Sequence, residues 1–92
     1  MRPEAAGARF GGDEYVAILI GCEPADALDV AEHIRVQVET HEFRVEDVVV
    51  APTITIGVAA MEAGSETPDA LLHRADDALY RAKKTGRNCV SD

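Results

Sequence analysis

The chain predicts an α/β (α+β) fold in which antiparallel, hairpin-like strand pairs pack against two helices. Three patterns lead there. Tyr15 to Ile20 is an apolar run that follows a Gly11-Gly12 turn. The segments 24–40 and 68–85 carry apolar residues at helical spacing. Thr53 to Ala60 alternates with period two, as a strand does.

In chain order, Met1 to Ala8 is short, Ala-rich and extended. Arg9-Phe10 ends one strand, Gly11-Gly12 makes a turn, and Tyr15 to Ile20 returns, so 9–20 is a hairpin. Paired glycines suit such a turn because they reach φ > 0 without a Cβ clash. In the return strand Val16, Ile18 and Ile20 share one face, and Ala17 and Leu19 the other. Both faces are apolar, so the strand reads as interior and covered on both sides.

Pro24 to Thr40 reads as a helix, with Pro24 and Asp26 in its first turn. Leu28, Ala31, Ile34 and Val38 form its core stripe, while Glu32, Arg35 and Glu39 face water. The stretch 42–60 returns to strands, with a hairpin over His41–Ala60, a turn at Glu46-Asp47 and Pro52 at an edge or bulge. Thr67-Pro68-Asp69 starts the second helix. Leu71, Leu72, Ala75, Ala78, Leu79 and Ala82 are its buried stripe, Lys83 and Lys84 complement its dipole, and Gly86 stops it. Cys89-Val90 makes a last short strand.

The chain has 92 residues, room for one domain, and 47% of them are hydrophobic. No apolar run approaches the ~20 residues of a membrane span, and Met1-Arg2-Pro3-Glu4 leads into no apolar leader segment. The 17 acidic residues outnumber the 9 basic ones, which disfavours broad contact with a nucleic-acid polymer. Cys22 and Cys89 make no metal-ligand pattern, and His33, His41 and His73 do not cluster. A reducing cytoplasm is the expected setting.

The turn carries the candidate chemistry. Gly11 and Gly12 let another molecule approach bare backbone, and the carboxylates of Asp13 and Glu14 follow at once. Exposed backbone beside adjacent acids suits hard metal ions and phosphates. The same residues also read as a solvated hairpin tip. Lys83 and Arg87, taken alone, read as a solvated basic helix end.

Arg9-Phe10-Gly11-Gly12-Asp13-Glu14-Tyr15 resembles the signature hairpin of GGDEF domains, the diguanylate cyclases, with Tyr15 where Phe is usual. Arg74 to Asn88 resembles the family's closing helix and its end. Ala31-Glu32-His33-Ile34-Arg35 and Thr53 to Ala59 also fit the pattern, in order and spacing over nearly the whole chain.

The resemblance implies a partial ferredoxin-like, palm-type sheet and an enzyme that condenses two GTP into cyclic di-GMP with release of pyrophosphate. It implies Mg²⁺ or Mn²⁺ as cofactor. Asp13 and Glu14 become the catalytic and metal-binding acids, and Gly11, Gly12, Lys83 and Arg87 the substrate-binding residues. Arg2-Pro3-Glu4-Ala5 falls where the family's Arg-x-x-Asp inhibitory motif lies. Arg2 is present, but Ala5 replaces the acid and His33 replaces a second frequent Arg, so the inhibitory site is degenerate. No Asp-x-Asp-x-Phe-Lys-x-x-Asn-Asp stretch occurs, so the chain looks like the C-terminal half of the domain, without one metal acid and the guanine reader. It is therefore expected to be inactive alone. An open edge and uncovered apolar surface on Val16 to Ile20 are expected to drive a dimer or swapped oligomer. The alternative is a non-catalytic module for dimerisation or nucleotide binding.

Overall fold

The computed structural model describes residues 4–9, 11–50, 52–62 and 64–92. Its elements run β1 (Glu4–Arg9), β2 (Glu14–Ile20), α1 (Pro24–Glu39), β3 (Phe43–Val45), β4 (Val48–Val50), β5 (Thr55–Met61), α2 (Pro68–Thr85) and β6 (Val90–Ser91). A four-stranded sheet has the order β1-β2-β5-β6, and β3-β4 stands as a separate two-stranded sheet.

The α/β class with two packed helices holds, and so does the first hairpin. β1 pairs antiparallel with β2 from Glu4↔Ile20 to Arg9↔Tyr15. The sheet is nevertheless mixed, because β2 pairs parallel with β5 and β5 pairs parallel with β6. A parallel pair needs a long crossover, which α1 and the β3–β4 hairpin supply. The hairpin expected over His41–Ala60 is thereby corrected: it spans only Phe43 to Val50, and β5 leaves it for the main sheet. Its turn is at Glu46-Asp47, both at positive φ (50° and 72°), which matches the twist of a two-residue hairpin loop.

The open edge expected on Val16 to Ile20 is also corrected. β2 has β1 on one side and β5 on the other. Its two faces divide as the sequence predicted. Leu19 packs with Ala27 and Ala31 of α1 and with Ile56, Val58 and Ala60 of β5. Val16 packs with Ala59 and with Leu71, Ala75 and Leu79 of α2. The helices thus cover opposite faces, and β5 is buried from Thr55 to Ala60.

The helix ends match their sequence signals. Thr67 Oγ1 accepts from the Ala70 N–H at 3.2 Å, and Gly86 ends α2 at φ 134°. The α2 stripe is buried except Leu72, which is 40% exposed. Of the expected α1 stripe, Ala31 is buried and Leu28 packs half-buried against the same core, Val38 is half-buried, and Ile34 is exposed. Ala27 and Ala31 are buried, while Ile34 is 45% exposed, because small alanines let the helix lie close on the sheet. No helix among the described residues is long and apolar enough to cross a membrane.

Candidate functional site

β1 and β2 present the Gly11–Asp13 turn, and two side-chain contacts shape it. The Arg9 Nε–H donates to the Gly11 carbonyl at 2.8 Å, and a terminal guanidinium N–H reaches the Gly12 carbonyl at 3.3 Å. Arg9 is thus a clamp across the turn, a role the sequence reading did not give it. The reason for the glycines also differs from the expected one. Among the described residues the positive-φ glycines are Gly21, Gly64 and Gly86, and Gly12 is not one of them. A Cβ on Gly11 would lie 2.1 Å from Glu14 Oε2, whereas a Cβ on Gly12 would meet nothing within 4 Å. Gly11 makes room for a carboxylate, and Gly12 leaves open space above the turn.

The Glu14 carboxylate joins the two ends of the chain. Its Oε1 lies 3.1 Å from Lys83 Nζ and 3.0 Å from Arg87 Nη1. Glu14's side chain is 17% exposed, against 35% for Lys83 and 52% for Arg87. Hydrogen bonds from Lys83, then from Arg87, hold the Glu14 carboxyl below its ordinary value of 4.5. Ion pairs this close to solvent contribute little to stability, so the trio matters for what it arranges rather than for holding the fold. It places two cations beside a turn on a chain whose net charge is −8.

Backbone geometry brings Arg87 to this point. Gly86, Arg87 and Asn88 have φ of 134°, 62° and 48°, which turns the chain sharply out of α2. The Arg87 N–H still reaches the Ala82 carbonyl at 3.2 Å. Lys83 lies in the last turn of α2, so one helix end supplies both cations.

Asp13 is half-buried at the end of the turn, immediately before β2 and next to Glu14. Its carbonyl accepts from the Thr55 N–H at 2.8 Å. Asp13 and Glu14 are hard oxygen donors of the kind a Mg²⁺ ion takes alongside substrate phosphates. Among the described residues no group of three or more His, Cys, Asp and Glu forms a cation cage. Asp13 and Glu14 by themselves offer two carboxylates, fewer oxygen ligands than a divalent ion takes. Arg2, the expected remnant of an inhibitory site, lies outside the described residues. His33, at the second such position, is exposed on α1.

Three residues near the site escaped the sequence reading. Thr55 is fully buried, and Arg35, expected to face water, has a side chain only 15% exposed. Arg35 and Glu39 of α1 meet Asn88, just after Arg87. Asn88 follows a helix-ending glycine, where a side chain that tolerates positive φ is informative, but its partners are distant in sequence.

The family model for the diguanylate cyclase GGDEF domain matches residues 1–89. The chain is 45% identical over 84 residues to the response regulator PleD of Caulobacter vibrioides, covering 89% of this chain and 18% of that protein. It is 37% identical over 84 residues to diguanylate cyclase A of Treponema denticola, covering 91% of this chain and 23% of that protein. It is 45% identical over 82 residues to diguanylate cyclase DgcM of Escherichia coli, covering 89% of this chain and 19% of that protein. The chain therefore spans only a small part of the length of these relatives. No solved structure matches it significantly. With its signature turn, its closing helix and this match along nearly its whole length, the chain belongs to the GGDEF family of diguanylate cyclases.

Proposed function

We propose that this chain supplies the phosphate-holding and acid-bearing part of a site that condenses two GTP into cyclic di-GMP, releasing pyrophosphate. The observation that carries this reading is the Glu14 carboxylate bridging Lys83 and Arg87 beside the Gly11–Gly12 turn. Two cations held by one carboxylate are a ready seat for a polyanion. An arriving phosphate takes the place of Glu14 on Lys83 and Arg87, and the freed carboxylate turns toward Asp13. The open space over Gly12 admits the phosphates against the backbone. Asp13 and Glu14 are the residues that would hold Mg²⁺ or Mn²⁺. Such an ion neutralises triphosphate charge and acidifies the attacking 3′-hydroxyl. Asp13 and Glu14 are also the proposed catalytic acids, one of them taking the hydroxyl proton.

The reaction joins two nucleotides, so two such sites face each other, and the working form is a dimer or swapped oligomer in the cytoplasm. The chain alone makes no product, because its sequence holds no counterpart of the family's other metal acid and guanine-reading residues. The competing reading is a non-catalytic nucleotide-binding or dimerisation module.

The test is calorimetric titration of the chain with GTP and Mg²⁺, alongside a chromatographic turnover assay. Binding that weakens about tenfold in Lys83→Ala and Arg87→Ala, with no cyclic di-GMP formed, is expected. Absence of GTP binding refutes the phosphate seat. Binding of cyclic di-GMP without GTP favours the module. Product that disappears in Asp13→Ala shows that the chain is sufficient by itself.

A further inference from the structure

The two halves of the site come from opposite ends of the chain, and something must fix the distance between them. Exposed ion pairs cannot do so on their own, since they gain little and cost side-chain entropy. The structure supplies a second, better enclosed connection. Thr55, fully buried at the start of β5, donates its N–H to the Asp13 carbonyl at 2.8 Å. Its Oγ1 accepts the Asn88 N–H at 2.9 Å. One residue thus ties the acid turn to the basic turn, through its own N–H on one side and its hydroxyl on the other.

Asn88 is held from the other side as well. Its Oδ1 accepts from Arg35 Nη1 at 3.0 Å, and its Nδ2–H donates to Glu39 Oε2 at 2.5 Å. The same Arg35 nitrogen lies 3.0 Å from Glu39 Oε2, and the Arg35 guanidinium also bonds Glu32. Both ends of the Asn88 amide are satisfied, and they pin it to α1 at a left-handed φ of 48°. Arg87 is the preceding residue, so its direction is set by where Asn88 is fixed.

We propose that Asn88 is the positioning residue of the Lys83–Arg87 pair, clasped by Arg35 and Glu39 and strutted by Thr55, so that Arg87 is aimed at the acid turn before any ligand arrives. This deepens the reading of Lys83 and Arg87 as the phosphate seat. Pre-orientation of this kind lowers the cost of ordering a long side chain on binding. It also gives α1, which carries Arg35 and Glu39, a role in the site.

Asn88→Gly removes the side-chain clasp while still permitting the positive φ, and Arg35→Lys, which leaves the Asn88 backbone unchanged, separates the clasp from glycine's added backbone freedom. Two quantities are read: the order of the Arg87 Nε–H group by heteronuclear NOE, and the affinity for Mg²⁺·GTP. In Asn88→Gly the Arg87 signal is expected to lose its order while the amide spectrum of β2, β5 and α2 stays in place. Affinity is expected to fall about fivefold to tenfold, the worth of one or two hydrogen bonds. Arg35→Lys, which keeps the charge but cannot bond Glu32, Glu39 and Asn88 together, is expected to reproduce part of both losses even if Asn88→Gly folds poorly. Thr55→Val is expected to loosen Arg87, and Thr55→Ser to restore it. An Arg87 signal as ordered in Asn88→Gly and Arg35→Lys as in the wild type overturns the clasp. If the wild type binds no GTP, the phosphate reading fails, and the Arg87 order measurement still decides whether Asn88 positions it.

Discussion

Gly11 and Gly12 are neighbours with opposite spatial demands, and that separates two substitutions that look alike on paper. Alanine at 11 would drive a methyl into the Glu14 carboxylate, 2.1 Å away. The carboxylate is the far end of a flexible side chain, so it can swing away, and the fold survives. What is lost is its seat between Lys83 and Arg87. Gly11→Ala is therefore expected to change unfolding free energy by no more than about 0.5 kcal/mol and, because the arriving phosphate displaces Glu14 from that seat in any case, to leave GTP affinity within about twofold of the wild type. Gly12→Ala meets nothing within 4 Å and is expected to leave both the thermal midpoint and the Glu14 ion pairs unchanged. Chemical denaturation and calorimetry on the two variants check this. The sequence made these glycines legible as a turn but misassigned the cause, because the carboxylate that needs the space at Gly11 is placed by Lys83 and Arg87, some 70 residues away. Asp13, Glu14, Lys83 and Arg87 were all readable as candidates from their motifs, and the structure brings Glu14, Lys83 and Arg87 into contact. Thr55, Arg35 and Asn88 were not readable, since a threonine in a strand and an arginine on a helix carry no local mark of a partner across the fold.

Strand β5 is the element on which both helices rest, and at Gly57 it meets the backbone of α2 directly. A Cβ on Gly57 would lie 2.3 Å from the Ala75 carbonyl oxygen and 2.3 Å from the Leu79 nitrogen. These are backbone atoms of a helix, which cannot step aside as a side chain does. Gly57→Ala must therefore push α2 off the sheet or bend β5, at a cost of about 2–3 kcal/mol in urea unfolding. The alternation of Thr53 to Ala60 showed which residues share a face, and those faces are correct. It could not show the partner. A strand alternating small polar and apolar residues reads as half-exposed, yet Thr55 is fully buried because its hydroxyl is engaged by Asn88 and its N–H by Asp13. That satisfied polarity lets Thr55 lie buried at the start of a strand packed between two helices. Helix α1 illustrates the converse: alanine carries so weak a hydrophobic signal that Ala27 was passed over in favour of Ile34.

At the scale of the molecule, charge and apolar surface make separate predictions. Glu14, Glu32, Glu39 and Glu66 all have carboxyls held below their ordinary value of 4.5, by hydrogen bonds from Lys83, Arg35, Asn88 and Arg74 respectively. A carboxyl whose folded pKa is depressed adds stability that is fully present above its unfolded value and is lost as pH falls through its folded value. The melting temperature is thus expected to be level from pH 7 to 5 and to fall below about 4.5, in 0.15 M salt to screen the net charge of −8. A midpoint that rises on acidification would contradict the assignment. The apolar surface bears on assembly. With β2 enclosed by β1 and β5, association cannot rest on an open β2 edge. The apolar surface that is open lies in the groove between the β1–β2 face and α1, where Val30 is 51% and Ile34 45% exposed beside Ala17 and Leu19. The β3–β4 hairpin adds Val45, Val48 and Val49, each at least half exposed, on a two-stranded sheet that is only marginal by itself. Sedimentation velocity at micromolar concentration is expected to show a species larger than the monomer. Val30→Glu with Ile34→Glu is expected to shift it to monomer without unfolding, because neither residue lies in the buried core. If the double variant sediments as the wild type does while Val48→Glu dissociates it, the hairpin is the contact. A wild-type chain that stays monomeric removes self-association through this surface from the scheme, and the facing of two nucleotide sites would then need polypeptide other than these 92 residues.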